Sequence, residues 1–331
     1  MSKKKEEKEV DAKGKAEDYF DTEEGKEFLK MMRNIKVRPV PDPFMTLSAE
    51  AGRRLKTGTV LDDILGQGGI GAKKIIMVYG EYGTGKTQFG YTLLCEAGEE
   101  GTVVYINPEF SFSPERITQI AKNRGKDMNK IRENLILVEP EDWLELLACP
   151  AQIPSPADLG DRKPISLVIV DSLLCAFDKS PEFMGRQKLP KRSQMIRLLL
   201  AELRKVARLH DCPVFVTDQI QEVPDVTKWT PSYLRQKEKG GPTVQHVPDI
   251  IIYLRKAASG TRIARLMDSY ELPVGERVYI INDKGIDDVP KDLKDKIERK
   301  SKKEEQKELE EAQAEADTVL STATEGSEQV A

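Results

Sequence analysis

The sequence predicts an α/β fold: a mostly parallel sheet with helices on both faces and an antiparallel extension on its C-terminal side. Three observations carry this. From about residue 44 to Asp288, apolar runs alternate with helix-compatible stretches, the pattern of a parallel sheet covered by helices. The run Ile75-Ile76-Met77-Val78-Tyr79 leads directly into Gly80-Glu81-Tyr82-Gly83-Thr84-Gly85-Lys86-Thr87, a complete G-x-x-x-x-G-K-T string, and Gln88 opens a stretch with helical spacing. Beyond residue 249 the chain turns to short apolar runs separated by Gly and Pro turns, which suits antiparallel strands.

Taken in order, residues 1 to about 40 are dominated by Lys and Glu, with a short apolar cluster at Phe28, Leu29, Met31 and Met32. This reads as a flexible, partly helical arm. Pro39, Pro41 and Pro43 follow as a stiff linker. The expected organisation is therefore arm and linker over 1–43, a core over 44–288, and a charged tail over 289–331 that is helical and frays into disorder. Within the core, strands are expected at 74–79, 102–106, 135–138, 166–170 and 213–217, and helices at 86–98, 114–124, 141–148 and 193–209. The last helix rests on Met195, Ile196, Leu199, Leu203 and Val206, which recur at helical spacing. The Pro-rich run from Pro150 to Pro164 reads as a surface loop. The extension is expected to contain strands at 250–255, 262–268 and 276–281.

Composition narrows the function classes. With 33% charged and 39% hydrophobic residues, the chain reads as soluble. No apolar run approaches the roughly 18 residues of a membrane span, and the N-terminus has no apolar segment of a signal peptide. A cytoplasmic protein without a membrane partner is expected. Cys95, Cys149, Cys175 and Cys212 form no C-x-x-C pair and read as reduced core thiols. Two histidines, His210 and His246, exclude a histidine-rich metal site. The formal net charge of −4 gives no whole-chain reason to bind nucleic acid, so any such binding needs a local patch.

The glycine-rich string has a mechanism. Its backbone can wrap a phosphate with N–H groups pointing inward. Lys86 would reach the β- and γ-phosphates, and the Thr87 hydroxyl would take a position on Mg²⁺. ATP with Mg²⁺ is the expected cofactor. Hydrolysis needs more: a second carboxylate near the metal and a group that orients water. Leu167-Val168-Ile169-Val170-Asp171 ends a buried strand on a carboxylate, so Asp171 is the candidate metal carboxylate. Glu109 follows the strand Val103–Ile106, and Gln219 follows Val214–Asp218. Their spacing alone leaves each either a site residue or an ordinary loop residue.

Two later segments are locally basic on an acidic chain. Arg186, Lys188, Lys191 and Arg192 cluster in one, and Lys228, Trp229, Tyr233, Arg235, Lys237 and Lys239 in the other. Cations with interleaved aromatics suit single-stranded nucleic acid, since cations neutralise phosphates and rings stack on bases. Solvated surface loops have the same composition.

Together these residues resemble the recombinase family of archaeal RadA, its eukaryotic counterparts and bacterial RecA, from about Leu55 to Asp288. The resemblance is carried by Leu55-Lys56-Thr57-Gly58 and Leu61–Gly66 ahead of the loop, Gly80–Gln88, Tyr105–Glu109 with Phe112-x-Pro114-Glu115-Arg116, Phe183–Arg186 with Leu189 and Arg192, Val216–Gln219, Gly240–His246, and Met267–Ser269 with Leu272–Glu276. It implies a RecA-like ATPase core. It makes Glu109 the catalytic glutamate beside Lys86 and Gln219, and Arg116 the residue that packs on adenine. It makes Asp268 and Pro273 part of a cap on a neighbouring subunit's nucleotide. Arg186, Lys188 and Arg192 fall in the first DNA-binding loop, and Lys228, Trp229, Arg235, Lys237 and Lys239 in the second. The implied partners are single-stranded DNA and other copies of the chain or a main RadA-type recombinase, with the protein on the nucleoid when bound to DNA.

The chain also departs from the family. Asn107, Pro108 and Phe110 stand where the family has Asp, Thr and Gly, and Asp218 stands for an Asn. Phe44-Met45-Thr46-Leu47 carries Leu where the family's docking segment has Ala, and the arm before Pro39 is too short and charged for the family's N-terminal helical domain. The resemblance therefore supports two expectations: a DNA-dependent ATPase acting in homologous recombination and repair, or a paralog that binds ATP and DNA and assists the main recombinase without exchanging strands.

Overall fold

Apolar runs buried on both faces place the strands, and two core layers place the helices. The computed structural model describes residues 54–66, 68–222, 236–238, 244 and 246–293, with Lys26 apart from them. The arm and linker, Phe44–Leu47, Lys228, Trp229, Arg235, Lys239 and the tail beyond 293 lie outside the described residues.

A small antiparallel pair, β1 (Arg54–Leu55) and β2 (Ile70–Gly71), flanks the short helix α1 (Asp62–Leu65). There follow β3 (Ile75–Gly80), α2 (Lys86–Gly98), β4 (Thr102–Ile106), α3 (Pro114–Asn123), α4 (Met128–Glu133), β5 (Leu135–Val138), α5 (Trp143–Gln152) and β6 (Ile165–Val170). Then come α6 (Cys175–Lys179), α7 (Leu189–His210), β7 (Val214–Asp218), a ribbon of β8 (Ile220–Glu222) and β9 (Gln236–Glu238), and finally β10 (Ile250–Lys256), β11 (Arg262–Ser269), β12 (Glu276–Asn282) and β13 (Gly285–Asp288). One nine-stranded sheet has the order β13-β12-β11-β10-β3-β7-β6-β4-β5. From β10 to β5 every pairing is parallel, and from β10 to β13 every pairing is antiparallel.

Strand periodicity divides the core. Ile75, Met77 and Tyr79 of β3 face one layer with Val104, Val168 and Val216, while Ile76 and Val78 face the other with Tyr105, Ile169 and Phe215. Successive side chains point to opposite faces, so a strand covered on both sides must be apolar throughout. Helices α5, α6 and α7 cover the first face; α2, α3 and α4 cover the second. Each fully buried Val, Ile or Leu stabilises the fold by roughly 1.5–3 kcal/mol. The helix starts are capped locally. Ser113 Oγ accepts from Arg116 N at 3.2 Å with Pro114 at the first helical position, and Asp142 accepts from Glu145 N at 2.8 Å.

The expected fold class is the observed one, with two local differences. β10 is parallel to β3, so the antiparallel extension begins at β11 and not at residue 250. Helix α5 runs through Pro150 to Gln152, and the loop starts only at Ile153. A proline near a helix end costs a single backbone bond, to residue i−4, while the buried Leu146, Cys149 and Pro150 keep the helix on the core. The four cysteines are buried, and none of them is in a disulfide. Among the described residues, no helix is long and apolar enough to cross a membrane.

Candidate functional site

β3, β7, β6 and β4 are parallel neighbours, so their carboxyl ends lie side by side. Side chains leaving those ends converge, where open parallel sheets hold ligands. A cleft of about 520 Å³ opens there. The loop after β3 lines it with Gly80, Tyr82, Gly83, Gly85, Lys86, Thr87 and Gln88; β4 sends Glu109, β6 sends Asp171 and Ser172, and β7 sends Gln219 and Ile220.

The glycines are required by geometry. A Cβ on Gly80 would come within 2.3 Å of the Leu254 carbonyl oxygen of neighbouring β10. Gly85 sits at φ 102° and caps α2 without a side-chain hydrogen bond, which leaves the first N–H groups of that helix to an anion. Glu81 and Thr84 serve the loop itself: Thr84 Oγ1 donates to the Glu81 carbonyl at 2.8 Å, and Tyr279 Oη donates to the Thr84 carbonyl at 2.8 Å. Tyr82 is almost fully exposed. Lys86 Nζ donates to the carbonyls of Gly80 at 2.7 Å and Glu81 at 3.0 Å. Burial lowers the Lys86 pKa below its ordinary value, while Asp171, Glu109, Asp218 and Glu81 pull against that shift by stabilising the cation.

The carboxylates are held from the neighbouring strands. Asp171 is 2% exposed. Tyr105 Oη donates to its Oδ2 at 2.9 Å, and Thr217 Oγ1 donates to its Oδ1. Glu109 is half-buried and its Oε1 accepts from Ser172 Oγ. Gln219 is exposed on the cleft, and its backbone N–H donates to Asp218 Oδ1 at 2.7 Å. Thr87 and Asp171 bring a hydroxyl and a carboxylate to the same cleft, the hard oxygen donors that Mg²⁺ takes. Sequence reasoning missed Tyr105, Thr217 and Ser172 as partners of these carboxylates. The available signal was a hydroxyl inside otherwise apolar strands, Val-Val-Tyr-Ile and Val-Phe-Val-Thr.

Other expected residues lie away from this cleft. Arg116 binds Gln88 Oε1 through Nε at 2.7 Å, Gln119 Oε1 through Nη1 and the Asn282 carbonyl through Nη2 at 2.5 Å. It thereby ties the phosphate-loop helix to the end of β12. Asp268 pairs with Ile251, and Ile251 pairs with Met77 inside β3. Asp268 therefore sits toward the end of the sheet where β3 begins, and neither Asp268 nor Pro273 is among the residues lining this chain's cleft.

In the first basic segment Arg186 and Lys188 are exposed in a short 3₁₀ turn. Lys191 pairs with Glu182 at 3.2 Å and lies over the rings of Trp143 and Phe183. Arg192 pairs with Asp178 at 2.5 Å, both partly buried. In the second segment Lys237 lies in β9, with its backbone opposite Gln221.

Comparison with known proteins places this geometry among relatives. A model of the Rad51 family matches residues 53–289. The DNA repair and recombination protein RadA of Aeropyrum pernix is 34% identical over 247 residues, covering 71% of this chain and 73% of that protein.

Proposed function

The chain belongs to the Rad51 family, and from that premise we propose that it is a DNA-dependent ATPase that binds single-stranded DNA in recombination and repair. One observation carries the reading: Lys86, Thr87, Glu109, Asp171 and Gln219, drawn from four strand ends, line a single cleft. In this reading Gly80–Gln88 and Lys86 hold the triphosphate, and Thr87 and Asp171 hold Mg²⁺, which would neutralise charge on the phosphates. Glu109 orients and deprotonates the attacking water. Gln219 meets the γ-phosphate at the root of the second basic segment, so that loss of the phosphate is felt by the loop. Arg116 offers its guanidinium face to the adenine. Arg186, Lys188 and Arg192, with Lys228, Trp229, Arg235, Lys237 and Lys239, contact the DNA. Asp268 and Pro273 act on the nucleotide of a neighbouring copy or a related recombinase. The 44–288 core is the ATPase unit, and the charged ends are extensions to it.

The test is ATP hydrolysis by the full chain with and without single-stranded DNA, in wild type, Lys86→Ala and Glu109→Gln. DNA-stimulated hydrolysis in wild type alone is expected. Wild-type hydrolysis no faster than that of the variants ends the enzymatic reading.

A second reading is a paralog that assists the main recombinase. The departures beside Glu109 favour it. Asn107 is committed to Glu139 through Nδ2 at 2.8 Å and to Ser111 N through Oδ1 at 3.3 Å, and Phe110 takes a left-handed φ of 57° that glycine adopts more easily. Strand exchange by this protein alone, in a joint-molecule assay, would exclude a purely assisting role.

A further inference from the structure

The Asp171 carboxylate leaves neither oxygen without a protein donor, and both donors come from the strands beside its own. β6 lies between β4 and β7 in the sheet. The register sets Tyr105 opposite Ile169 and Val170 opposite Val216. Tyr105 and Thr217 thus reach the β6 end from opposite sides. Tyr105 is 1% exposed, Thr217 and its neighbour Asp218 are fully buried, and Tyr105 Oη and Thr217 Oγ1 donate to Oδ2 and Oδ1 respectively.

Each hydroxyl is itself fixed. The Tyr105 ring packs on Phe112 at 5.1 Å and on Tyr91 at 5.9 Å. Tyr91 Oη donates to the Ser111 carbonyl at 3.1 Å and accepts from Ser113 N at 2.9 Å. Thr217 is held by the ladder that pairs Val78 with it. The backbone on either side is closed as well: Asp171 N donates to the Ile106 carbonyl at 3.0 Å and Leu173 N to the Thr217 carbonyl at 2.9 Å. A carboxylate bonded once at each oxygen keeps one lone-pair direction per oxygen, so its rotation about χ2 is stopped and its remaining acceptor sites are aimed. Outer hydrogen bonds of this kind orient metal-binding groups and tune their affinity.

We propose that Tyr105 and Thr217 are positioning residues that hold the Asp171 carboxylate in the orientation in which it serves the magnesium of the nucleotide complex. The inference rests on the ATPase reading above and deepens it. It assigns the two hydroxyls a role in metal affinity that is separate from their part in the core.

The experiment is a Mg²⁺ titration of the binding of a fluorescent, non-hydrolysed ATP analogue to the full chain. The variants are Tyr105→Phe, Thr217→Val and Thr217→Ser, with thermal melting followed in parallel. Tyr105→Phe and Thr217→Val keep the side-chain volume and remove a hydroxyl. Each is expected to raise the Mg²⁺ concentration at half-saturation by roughly 10-fold, with analogue binding in excess chelator equal to wild type. Thr217→Ser, which restores the hydroxyl in a smaller side chain, is expected to return the midpoint to wild type even where it lowers the melting temperature. A purely structural role would lower the melting temperature of Thr217→Val and leave the midpoint in place. Superimposable Mg²⁺ curves, or a Ser variant that behaves like Val, overturn the proposal. Failure of the wild type to bind the analogue at any Mg²⁺ concentration instead removes the nucleotide reading beneath it.

Discussion

The cleft and the first basic segment hold their charges by opposite means. In the cleft, Asp171 is buried and bonded by two neutral hydroxyls from adjacent strands, and Lys86 rests on backbone carbonyls of its own loop. In the basic segment, Lys191 and Arg192 at the start of α7 are held by Glu182 and by Asp178 of α6. Neutral donors fixed by a sheet preserve a charge for a ligand, because they do not cancel it. Acidic partners cancel it until a stronger anion replaces them. The proposed function gives each a use: fixed geometry in the cleft for hydrolysis, and exchangeable ion pairs in the basic segment for reversible DNA binding.

The largest effects should come from breaking the cleft. Glu109→Gln keeps the shape and the Ser172 contact but removes the base proposed above, so hydrolysis should fall by roughly 10²–10⁴-fold with nucleotide affinity close to wild type. Equal loss of binding and turnover would show that Glu109 holds the nucleotide and does not act on water. Lys86→Ala should cost roughly 10²–10³-fold in turnover, the scale of removing one donor to a developing charge, and should also weaken nucleotide binding measured by fluorescence.

The loop should answer more softly. Replacing Arg186 and Lys188 together by Ala should flatten the salt dependence of single-stranded DNA binding by about 1.4 in log–log slope, at roughly 0.7 per phosphate contact. An unchanged slope would remove both residues from the DNA surface. Glu182→Gln releases Lys191 from an exposed pair worth about 0–1 kcal/mol, so DNA should bind up to about fivefold tighter in an anisotropy titration. Weaker binding would mean that the pair shapes the loop and does not mask it.

The smallest effect lies at the far end of α7, the helix that begins at the basic segment. Burial lowers the His210 pKa below its ordinary 6.5. The unfolded chain then binds the proton more readily, and stability falls as pH drops below about 6.5 toward the folded pKa. His210→Gln should flatten that part of the stability–pH curve in denaturant titrations. An unchanged curve would assign the acid sensitivity to other groups.

Much of this was legible in the sequence, for definite reasons. The parallel strands read as unbroken apolar runs because both faces are covered, and the phosphate loop reads as a string because glycine alone tolerates Gly80 beside Leu254. The direction of β10 was not legible, since Ile-Ile-Ile-Tyr-Leu says that a strand is buried and not which way it runs. Helices α4 and α6 are too short to show a period. Pro150 looked like a loop signal because a proline near a helix end and one in a turn look alike in sequence. The commitment of Arg192 to Asp178 across 14 residues, and the hydroxyls that Tyr105 and Thr217 give to Asp171, depend on register and rotamer, which spacing does not specify.

The most direct test of the central claim, that nucleotide in the cleft governs the loops, is the affinity of the full chain for single-stranded DNA at one fixed salt concentration. It should be measured with a non-hydrolysed ATP analogue and again with ADP. The account predicts binding at least about tenfold tighter with the analogue, a coupling of about 1.4 kcal/mol. Equal affinities in the two nucleotide states would contradict it.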